Sequence, residues 1–322
     1  MADTHVAVTG AAGYIGSRVV GDLGRDHPDW EITALDNFYR GDVREIAGVP
    51  VEHVDIRNRG DLEEALAGAD VVVHLAAISG VDDCDDNPDL AHEVNVRATA
   101  DVARFCHRTG AGLLFPFSVA VLGDPESFPI SVDDPRDPLN WYGRTKVLGE
   151  ATIDAFADGA FPAHQHMIAN LYGGHEVDGR TVSKRVVIDF FVERALAGDT
   201  LTVYEPGSQS RNFVHVKDVA AALVRSTERL RRQVAGGTTG VEKFEIASEQ
   251  DFSVREVGEM VADAADDHGI DVDVALVENP RSGETLIEDF DVAVDRTREV
   301  LDWEPTREVE ASIRTMLDRR AE

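Results

Sequence analysis

The sequence has few cysteines and no long apolar run. Cys84 and Cys106 are its two cysteines, one in an Asp-rich segment and one in a helical pattern, so no disulfide framework is predicted and both are expected to be free thiols. Apolar runs are broken by Gly, Asp or His well before the roughly 18 residues that a membrane span needs. The N-terminal segment also lacks the basic region of a signal peptide. We therefore expect a soluble, cytoplasmic protein with no membrane partner.

Basic residues are also scarce. Lys and Arg together number 31 against 61 Asp and Glu, the formal net charge is −30, and only four of the basic residues are lysines. Such a chain repels nucleic acid, so we expect no nucleic-acid partner. The composition resembles that of proteins from halophilic archaea, in which high salt screens the self-repulsion of a carboxylate-rich surface. An ordinary acidic cytosolic protein is the alternative.

The first half of the chain alternates short apolar strands with helical stretches. The predicted strands are residues 6–9, 31–35, 51–54, 71–75 and 113–115. This alternation predicts an α/β fold with a doubly wound parallel sheet covered on both faces, as in Rossmann domains. After about residue 170 the pattern loosens into Gly-rich loops with scattered helices. We predict a Rossmann domain and a smaller α/β substrate-binding lobe, with these ranges: 1–168 plus about 213–245 for the domain, and 169–212 plus 246–322 for the lobe.

A glycine fingerprint follows the first strand and opens a helix. In this stretch Gly10 permits a tight turn, Gly13 lets the backbone approach a pyrophosphate, and Gly16 lets the helix pack on the strand. Tyr14 and Ile15 belong to the same turn and are included in the predicted cofactor site. Free amides and the positive end of the helix dipole favour the pyrophosphate there. The motif predicts a dinucleotide site.

An acidic residue identifies the dinucleotide. Asp36 ends the second strand about 20 residues after the fingerprint, where a carboxylate accepts hydrogen bonds from the adenosine ribose and repels the 2′-phosphate of NADP. NAD is therefore the predicted cofactor. A turn cap is the alternative role for Asp36, and Arg40 complicates the choice because an arginine can accept a phosphate. The remaining predicted cofactor residues are Asn37, Asp55, Ile56, Leu75, Ala76 and Ala77.

Tyr142 and Lys146 are four residues apart in a helical pattern, so they share one helix face. A phenol with a pKa near 10 is a poor base, but a nearby ammonium and the positive nicotinamide ring stabilise its phenolate. Ser118, at the end of a predicted strand, can hydrogen-bond the reacting hydroxyl. The three residues predict acid/base chemistry at a carbinol carbon.

These motifs are similar to those of the extended short-chain dehydrogenase/reductases, specifically the NAD-dependent nucleotide-sugar epimerase/dehydratase family typified by UDP-glucose 4-epimerase. The resemblance covers nearly the whole chain. Beyond the fingerprint it depends on six stretches: residues 95–99, 118–123, 142–146, 170–173, 211–218 and 301–305.

The resemblance implies a role for each matched residue. Ser118, Tyr142 and Lys146 correspond to a catalytic triad, which Asn95 supports by hydrogen bonds. Four further residues correspond to contacts with a sugar nucleotide: Asn170, Tyr204, Arg211 and Arg281. A surface ion pair is the alternative for the two arginines. Dimers are common in this family, so we expect a homodimer.

Two positions beside Ser118 narrow the expected chemistry. Val119 and Ala120 stand where the sugar 4,6-dehydratases carry Asp-Glu and where UDP-glucuronate decarboxylases usually keep a glutamate. The missing carboxylates favour simple oxidation and reduction at one carbon. Leu122, Met167 and the Glu205-Pro206 pair depart from the family pattern in the part that binds substrate.

The leading hypothesis is a UDP-sugar 4-epimerase that acts through a transient 4-keto intermediate. An NAD-dependent dehydrogenase of free aldoses is the enzymatic alternative, and a catalytically idle NAD-binding sensor or scaffold is an alternative of another class. The small-molecule partner is thus a sugar nucleotide or a sugar. His164 and His166 share one face of a short strand, but no third ligand stands at a useful spacing, so no metal is predicted.

Overall fold

The computed structural model describes residues 4–280 and 287–321. Fifteen strands occur in the described part: β1 His5–Thr9, β2 Glu31–Asp36, β3 Glu45–Ile46, β4 Val49–His53, β5 Val71–His74, β6 Gly112–Ser118, β7 Pro162–Ile168, β8 Asn170–Tyr172, β9 Gly174–Val177, β10 Arg180–Ser183, β11 Leu201–Tyr204, β12 Ser210–His215, β13 Gly240–Ile246, β14 Asp251–Ser253 and β15 Val274–Val277.

Eleven α-helices connect them in the same ranges: α1 Gly16–Asp26, α2 Arg59–Ala65, α3 Val81–Asp86, α4 Pro88–His92, α5 Thr99–Thr109, α6 Trp141–Ala157, α7 Val187–Leu196, α8 Val216–Ala235, α9 Val254–Asp266, α10 Asp295–Leu301 and α11 Val309–Ala321. A π-helix, Glu93–Ala98, precedes α5, and a short 3₁₀ helix, Val119–Val121, follows β6. No helix among the described residues is both long and apolar enough to cross a membrane.

The large sheet has eight strands in the order β13-β7-β6-β5-β1-β2-β4-β3. All neighbouring pairs are parallel except the short pair β3 and β4. Because the chain first builds outward from β1 on one side and then returns to β5 on the other, the strand order reverses between these two strands. Ligands of doubly wound sheets bind in the crevice at the carboxyl ends of the strands at such a reversal. The predicted doubly wound parallel α/β fold is confirmed.

The core of this sheet is made by strands that are apolar on both faces. The side chains of β1 from Val6 to Val8 and those of β5 from Val71 to Val73 are fully buried. The helices α1 and α8 pack together on one face, and α5 and α6 on the other. Burial on both faces explains why these strands read as continuous apolar runs.

A second core lies in the C-terminal part of the chain. Helices α7 and α9 pack on β11, and α11 packs on these two helices; the buried apolar residues include Phe191, Val203, Val257 and Ile313. Three smaller sheets accompany this core: β10-β9, β11-β15 and β14-β12-β8. The smaller α/β lobe is thus present, and its exact boundaries stay a prediction.

Two local features differ from the sequence prediction. The Asp-rich sequence around Cys84 favours a loop, but Cys84 lies in α3 and is fully buried as a free thiol, as is Cys106 in α5. The side-chain pattern predicts a helix through Asn95 and Phe105, and the structure has the π-helix Glu93–Ala98 at Asn95 before α5 begins. Such insertions into a helix are frequent at functional sites.

Candidate active site

The fingerprint turn has the shape that a pyrophosphate requires. Gly10 has a φ of +71°, and a Cβ there would lie 2.6 Å from the backbone nitrogen of Ala76. A Cβ at Gly16 would lie 2.0 Å from the Gly10 carbonyl oxygen. The backbone N–H groups of Tyr14, Ile15 and Gly16 have no hydrogen-bond partner within the described chain. Glycine is therefore obligatory at both positions, and three amides at the start of α1 are available to an anion.

Asp36 is fixed by the backbone around it. Its Oδ2 accepts from the N–H of Ala12 at 3.0 Å, and its Oδ1 accepts from the N–H of Phe38 at 2.7 Å. Burial raises the pKa of this carboxyl, while the same two backbone hydrogen bonds oppose that shift. Each carboxylate oxygen keeps a further lone pair, so Asp36 can also accept from ribose hydroxyls.

The other cofactor residues predicted for this part of the site are Asn37, Arg40, Asp55 and Ile56. Arg57 holds the pKa of Asp55 below its ordinary value, and Asn37 adds to that effect. Ile56 is buried next to Asp55. Arg40 does not approach Asp36: its guanidinium forms an ion pair with Asp83 of α3. The arginine that complicated the choice of cofactor thus already has a carboxylate partner.

The floor of the crevice follows β5. The Leu75 N–H donates to the carbonyl of Thr9 at 3.1 Å, and the Ala76 N–H donates to the Thr9 Oγ1 at 3.3 Å. Leu75, Ala76 and Ala77 are each partly exposed. The close approach of Gly10 to Ala76 places this segment directly beside the fingerprint turn.

The three predicted catalytic residues meet at the ends of β6 and α6. Ser118 is the last residue of β6, and its hydroxyl accepts from the N–H of Ala120 at 3.2 Å. Its proximity to the phenol of Tyr142 favours the phenolate by lowering the pKa of Tyr142 against the effect of burial. Lys146 lies one turn along α6, where its Nζ donates to the carbonyl of Pro116 at 3.2 Å and lies 4.9 Å from the centre of the Phe115 ring. The structure therefore brings a hydroxyl, a phenol and an ammonium together at the carboxyl end of the sheet.

Burial perturbs both ionisable groups of this trio. It raises the pKa of Tyr142 to about 12, and it lowers the pKa of Lys146 to about 8. Both shifts disfavour the charged forms, so a phenolate at this position requires additional positive charge nearby. A bound nicotinamide cation supplies charge of that sign.

Asn95 holds the segments around the trio in place. Its Nδ2 donates to the carbonyl of Ile78 at 2.9 Å and to the Thr145 Oγ1 at 3.0 Å, and its Oδ1 accepts from the Ile78 N–H at 2.9 Å. Thr145 in turn donates to the carbonyl of Tyr142 at 2.8 Å. Asn95 thereby connects the crevice floor to α6 from within the π-helix.

A buried hydrogen-bond chain that the sequence analysis missed runs beneath these residues. The Oγ1 of Thr9 lies 2.8 Å from the His74 Nδ1, and the His74 Nε2 lies 3.1 Å from the Thr99 Oγ1. Because Thr99 gives its proton to the carbonyl of Asn95 at 2.8 Å, it must accept from His74. This pattern assigns His74 as a neutral imidazole protonated at Nε2, and burial accordingly lowers its pKa to about 3.

The C-terminal lobe contacts the fingerprint turn directly. The hydroxyl of Tyr14 donates to the carbonyl of Gly173 at 2.6 Å, and the His175 Nε2 donates to the carbonyl of Tyr14 at 3.0 Å. Both partners belong to the turn and strand that follow β8. Tyr14 therefore couples the predicted pyrophosphate site to the lobe.

The predicted substrate residues lie on two of the smaller sheets. Asn170 begins β8 and donates to the carbonyl of Asn212 at 3.3 Å, and Arg211 lies on the adjacent strand β12 and donates to the carbonyl of Ser210 at 2.7 Å. Tyr204 ends β11 in another sheet. Arg281 lies outside the described residues. Two of the four residues thus lie on adjacent strands.

Residues 6–241 match the NAD dependent epimerase/dehydratase family. The chain belongs to this family. A UDP-N-acetyl-alpha-D-glucosaminuronate decarboxylase of Bacillus cytotoxicus is 31% identical over 263 residues, which cover 78% of this chain and 77% of the relative. A putative UDP-glucose 4-epimerase of Methanocaldococcus jannaschii is 27% identical over 320 residues and covers 97% of both chains.

The solved structures agree with this assignment. A UDP-glucose 4-epimerase of Thermus thermophilus in complex with NAD superposes with a TM-score of 0.79 at 25% identity, and the alignment covers 98% of each chain. The cofactor of the family is NAD, and the glycine turn, the available amides and Asp36 described above fit it. The relatives act on UDP-sugars as epimerases and decarboxylases, so the chain is a member of an enzyme family of nucleotide-sugar chemistry.

The sequence analysis overlooked residues whose importance depends on distant partners. His74, Thr9 and Thr99 form the buried chain across three segments. Gly41 is a further example, because a Cβ there would lie 2.0 Å from the carbonyl oxygen of Ala12 in the fingerprint turn. The sequence signal for this contact was a glycine five residues after Asp36, the acidic residue that ends β2.

Proposed function

We propose that this enzyme is a UDP-sugar 4-epimerase. The observation that carries the proposal is the trio of Ser118, Tyr142 and Lys146 at the end of the sheet, next to Val119 and Ala120, neither of which has an acidic or basic side chain. The 3₁₀ turn that begins at Ser118 places Val119 and Ala120 next to the hydroxyl, and Val119 is buried. Dehydration or decarboxylation calls for a carboxylate at these positions, whereas epimerisation does not.

The roles of the trio follow from their contacts. Tyr142 in its phenolate form removes the proton of the C4 hydroxyl, while Ser118 donates to that oxygen and fixes its position. NAD, when bound, would supply reversible hydride transfer at C4. The ammonium of Lys146 stabilises the phenolate electrostatically, because it lies one helical turn away with its position set by the carbonyl of Pro116.

Inversion needs a substrate that turns while one end stays bound. We assign the binding of the nucleotide end to Asn170, Arg211 and Tyr204. Arg281, outside the described residues, is assigned the same role. An arginine can bind a diphosphate through paired, charge-assisted hydrogen bonds. With the diphosphate held, the 4-keto sugar presents its other face, and Tyr142 returns the proton.

The fate of the hydrogen at C4 tests the proposal. UDP-galactose that carries deuterium at C4 is incubated with the holoenzyme, and the product is analysed by mass spectrometry and NMR. We expect UDP-glucose with the label retained and no net formation of NADH. Loss of the label to solvent would contradict the mechanism. Stoichiometric NADH from a free aldose, with no response to UDP, would favour the aldose dehydrogenase instead.

A further inference from the structure

Lys184 crosses the crevice between the two parts of the molecule. It lies between β10 and α7 in the C-terminal lobe, and its Nζ donates to the backbone carbonyl of Ser79 at 2.8 Å and to the Ser79 Oγ at 3.1 Å. Ser79 belongs to the segment that leads from β5 into α3, at the floor of the crevice. A lysine from the lobe thus ends at the predicted cofactor and substrate site.

The ammonium lies within electrostatic reach of the reacting groups. The positive charge of Lys184 contributes to the lowered pKa of Lys146. It also opposes the burial that raises the pKa of the Cys84 thiol, and Cys84 in turn acts on Tyr142. Lys184 is therefore close to the catalytic end of the crevice and not on a remote surface.

Lys184 has hydrogen-bond acceptors, but no carboxylate of the described residues contacts it directly. Both acceptors are neutral oxygens of Ser79, and no carboxylate forms an ion pair with Lys184 in residues 4–280 and 287–321. The nearby carboxylate of Asp83 is bound by Arg40. By contrast, Lys243 contacts both Glu150 and Asp154.

The lack of an ion pair is unusual in a chain with a formal charge of −30. Burial lowers the pKa of Lys184, and Asp83 offsets only part of this shift. An anionic ligand would offset the rest. One of the three ammonium protons is still available, since Ser79 accepts two.

We propose that Lys184 binds an anionic group of the sugar nucleotide. The inference deepens the proposed function and depends on it. The group is either the diphosphate, common to all UDP-sugars, or a carboxylate on the sugar of a UDP-uronate. The pyrophosphate of NAD is assigned instead to the free amides at the start of α1, so the affinity for NAD should be independent of Lys184.

Binding measurements on charge variants test the inference. Lys184→Gln keeps an N–H donor for Ser79 but removes the charge, and Lys184→Arg keeps the charge. Arg185→Gln is the matched control, because Arg185 is the next residue, is exposed, and pairs with Glu193 at 3.1 Å. Titration calorimetry on the NAD-loaded protein uses three probes: UDP, UDP-glucose and UDP-glucuronate.

We expect Lys184→Gln to weaken ligand binding by about 10- to 100-fold, as for the loss of a charge-assisted hydrogen bond. Lys184→Arg should retain most of the wild-type affinity. Arg185→Gln should stay within about 2-fold of wild type, as exposed ion pairs contribute little. Melting temperatures and NAD affinity, measured on every variant, separate a binding defect from a folding defect.

The pattern across the probes identifies the group. Weaker binding of all three probes assigns Lys184 to the diphosphate, and weaker binding of UDP-glucuronate alone assigns it to a carboxylate. Unchanged binding of all three, or a loss confined to NAD, would overturn the inference. A different outcome would refute the proposed function alone: the wild-type protein binds UDP-glucose, Lys184→Gln weakens that binding, and the wild-type protein does not epimerise UDP-glucose.

Discussion

Buried histidines make the fold sensitive to mild acid. His74, His164 and His215 each have a pKa that burial lowers to about 3, and burial also lowers the pKa of His166 well below its ordinary value. Below pH 6.5 the unfolded chain binds protons at these four residues, whereas the folded chain does not. The free energy of unfolding should therefore fall as the pH falls through 6.5 toward 3.

The magnitude follows from proton linkage. One pKa unit corresponds to about 1.4 kcal/mol, and each such histidine contributes about that much between pH 7.5 and 5.5, so the four together remove about 5–6 kcal/mol. That is a large part of the roughly 5–15 kcal/mol typical of a folded domain. Relief of carboxylate repulsion acts in the opposite direction as the pH approaches the sequence pI of about 4.6. Molar KCl suppresses this second effect, because it shortens the screening length to about 3 Å.

His166 allows the cause to be isolated. Neither of its ring nitrogens has a hydrogen-bond partner among the described residues, and its ring stacks on Phe244 with centroids 5.4 Å apart. His166→Phe therefore removes one titrating group without breaking a hydrogen bond. We expect the loss of stability between pH 7.5 and 5.5 to shrink by about a quarter, as measured by urea unfolding in molar KCl.

His268 provides the matched control for this experiment. It is exposed, and hydrogen bonds to the carbonyl of Ala264 and to Asp318 raise its pKa, so the folded chain binds that proton at least as well as the unfolded chain. His268→Gln should not reduce the slope with pH. A wild-type stability that stays flat across this range, or an unchanged slope in His166→Phe, would refute the reasoning.

Three further predictions concern cofactor, catalysis and salt. Tyr142→Phe removes the group that moves the proton, so turnover should fall by at least about 10²-fold. The affinity for NAD, measured by fluorescence titration, should stay the same. Activity above a tenth of wild type would exclude the assigned role of Tyr142. NAD should bind more tightly than NADP, and Asp36→Ala should narrow the difference in dissociation constants, whereas a native preference for NADP would show that Asp36 does not govern the choice. The melting temperature should rise from low salt toward molar KCl, because the carboxylate surface is then screened, and a flat or falling curve would contradict the halophilic interpretation of the composition.

Local patterns allowed the cofactor turn and the fold class to be predicted. The spacing of Gly10, Gly13 and Gly16 encodes a turn whose closest steric contacts at these glycines are within the turn itself or with the segment that follows the adjacent strand β5. The apolar runs of the parallel strands are equally local. Such features depend on steric limits and burial, which a single sequence expresses directly.

Contacts between segments that are distant in the sequence could not be predicted from the sequence. His74 meets Thr9 across 65 positions, and Lys184 meets Ser79 across 105. A histidine at a strand end and a lysine in a loop have no local periodicity that signals these partners. Their roles follow only from the packing of the two parts of the chain.

Acidic segments were also misinterpreted. The Asp-rich stretch around Cys84 suggested a loop, but Asp82 and Asp83 lie in the first turn of α3, where carboxylates interact favourably with the helix dipole. The π-helix at Asn95 arises from an irregularity in hydrogen bonding that the side-chain pattern does not reveal.

The strand order has a consequence for biosynthesis. The neighbour of β7 at the edge of the large sheet is β13, which pairs with it along seven residues and is translated only after five intervening strands and two helices. While the ribosome makes that intervening stretch, the edge of β7 that later pairs with β13 is exposed. In the folded protein every residue of β7 is buried. Unpaired edges of this kind recruit other chains. A nascent chain released before residue 246 should therefore aggregate, even though every residue of the fingerprint and of the catalytic trio has already been synthesised.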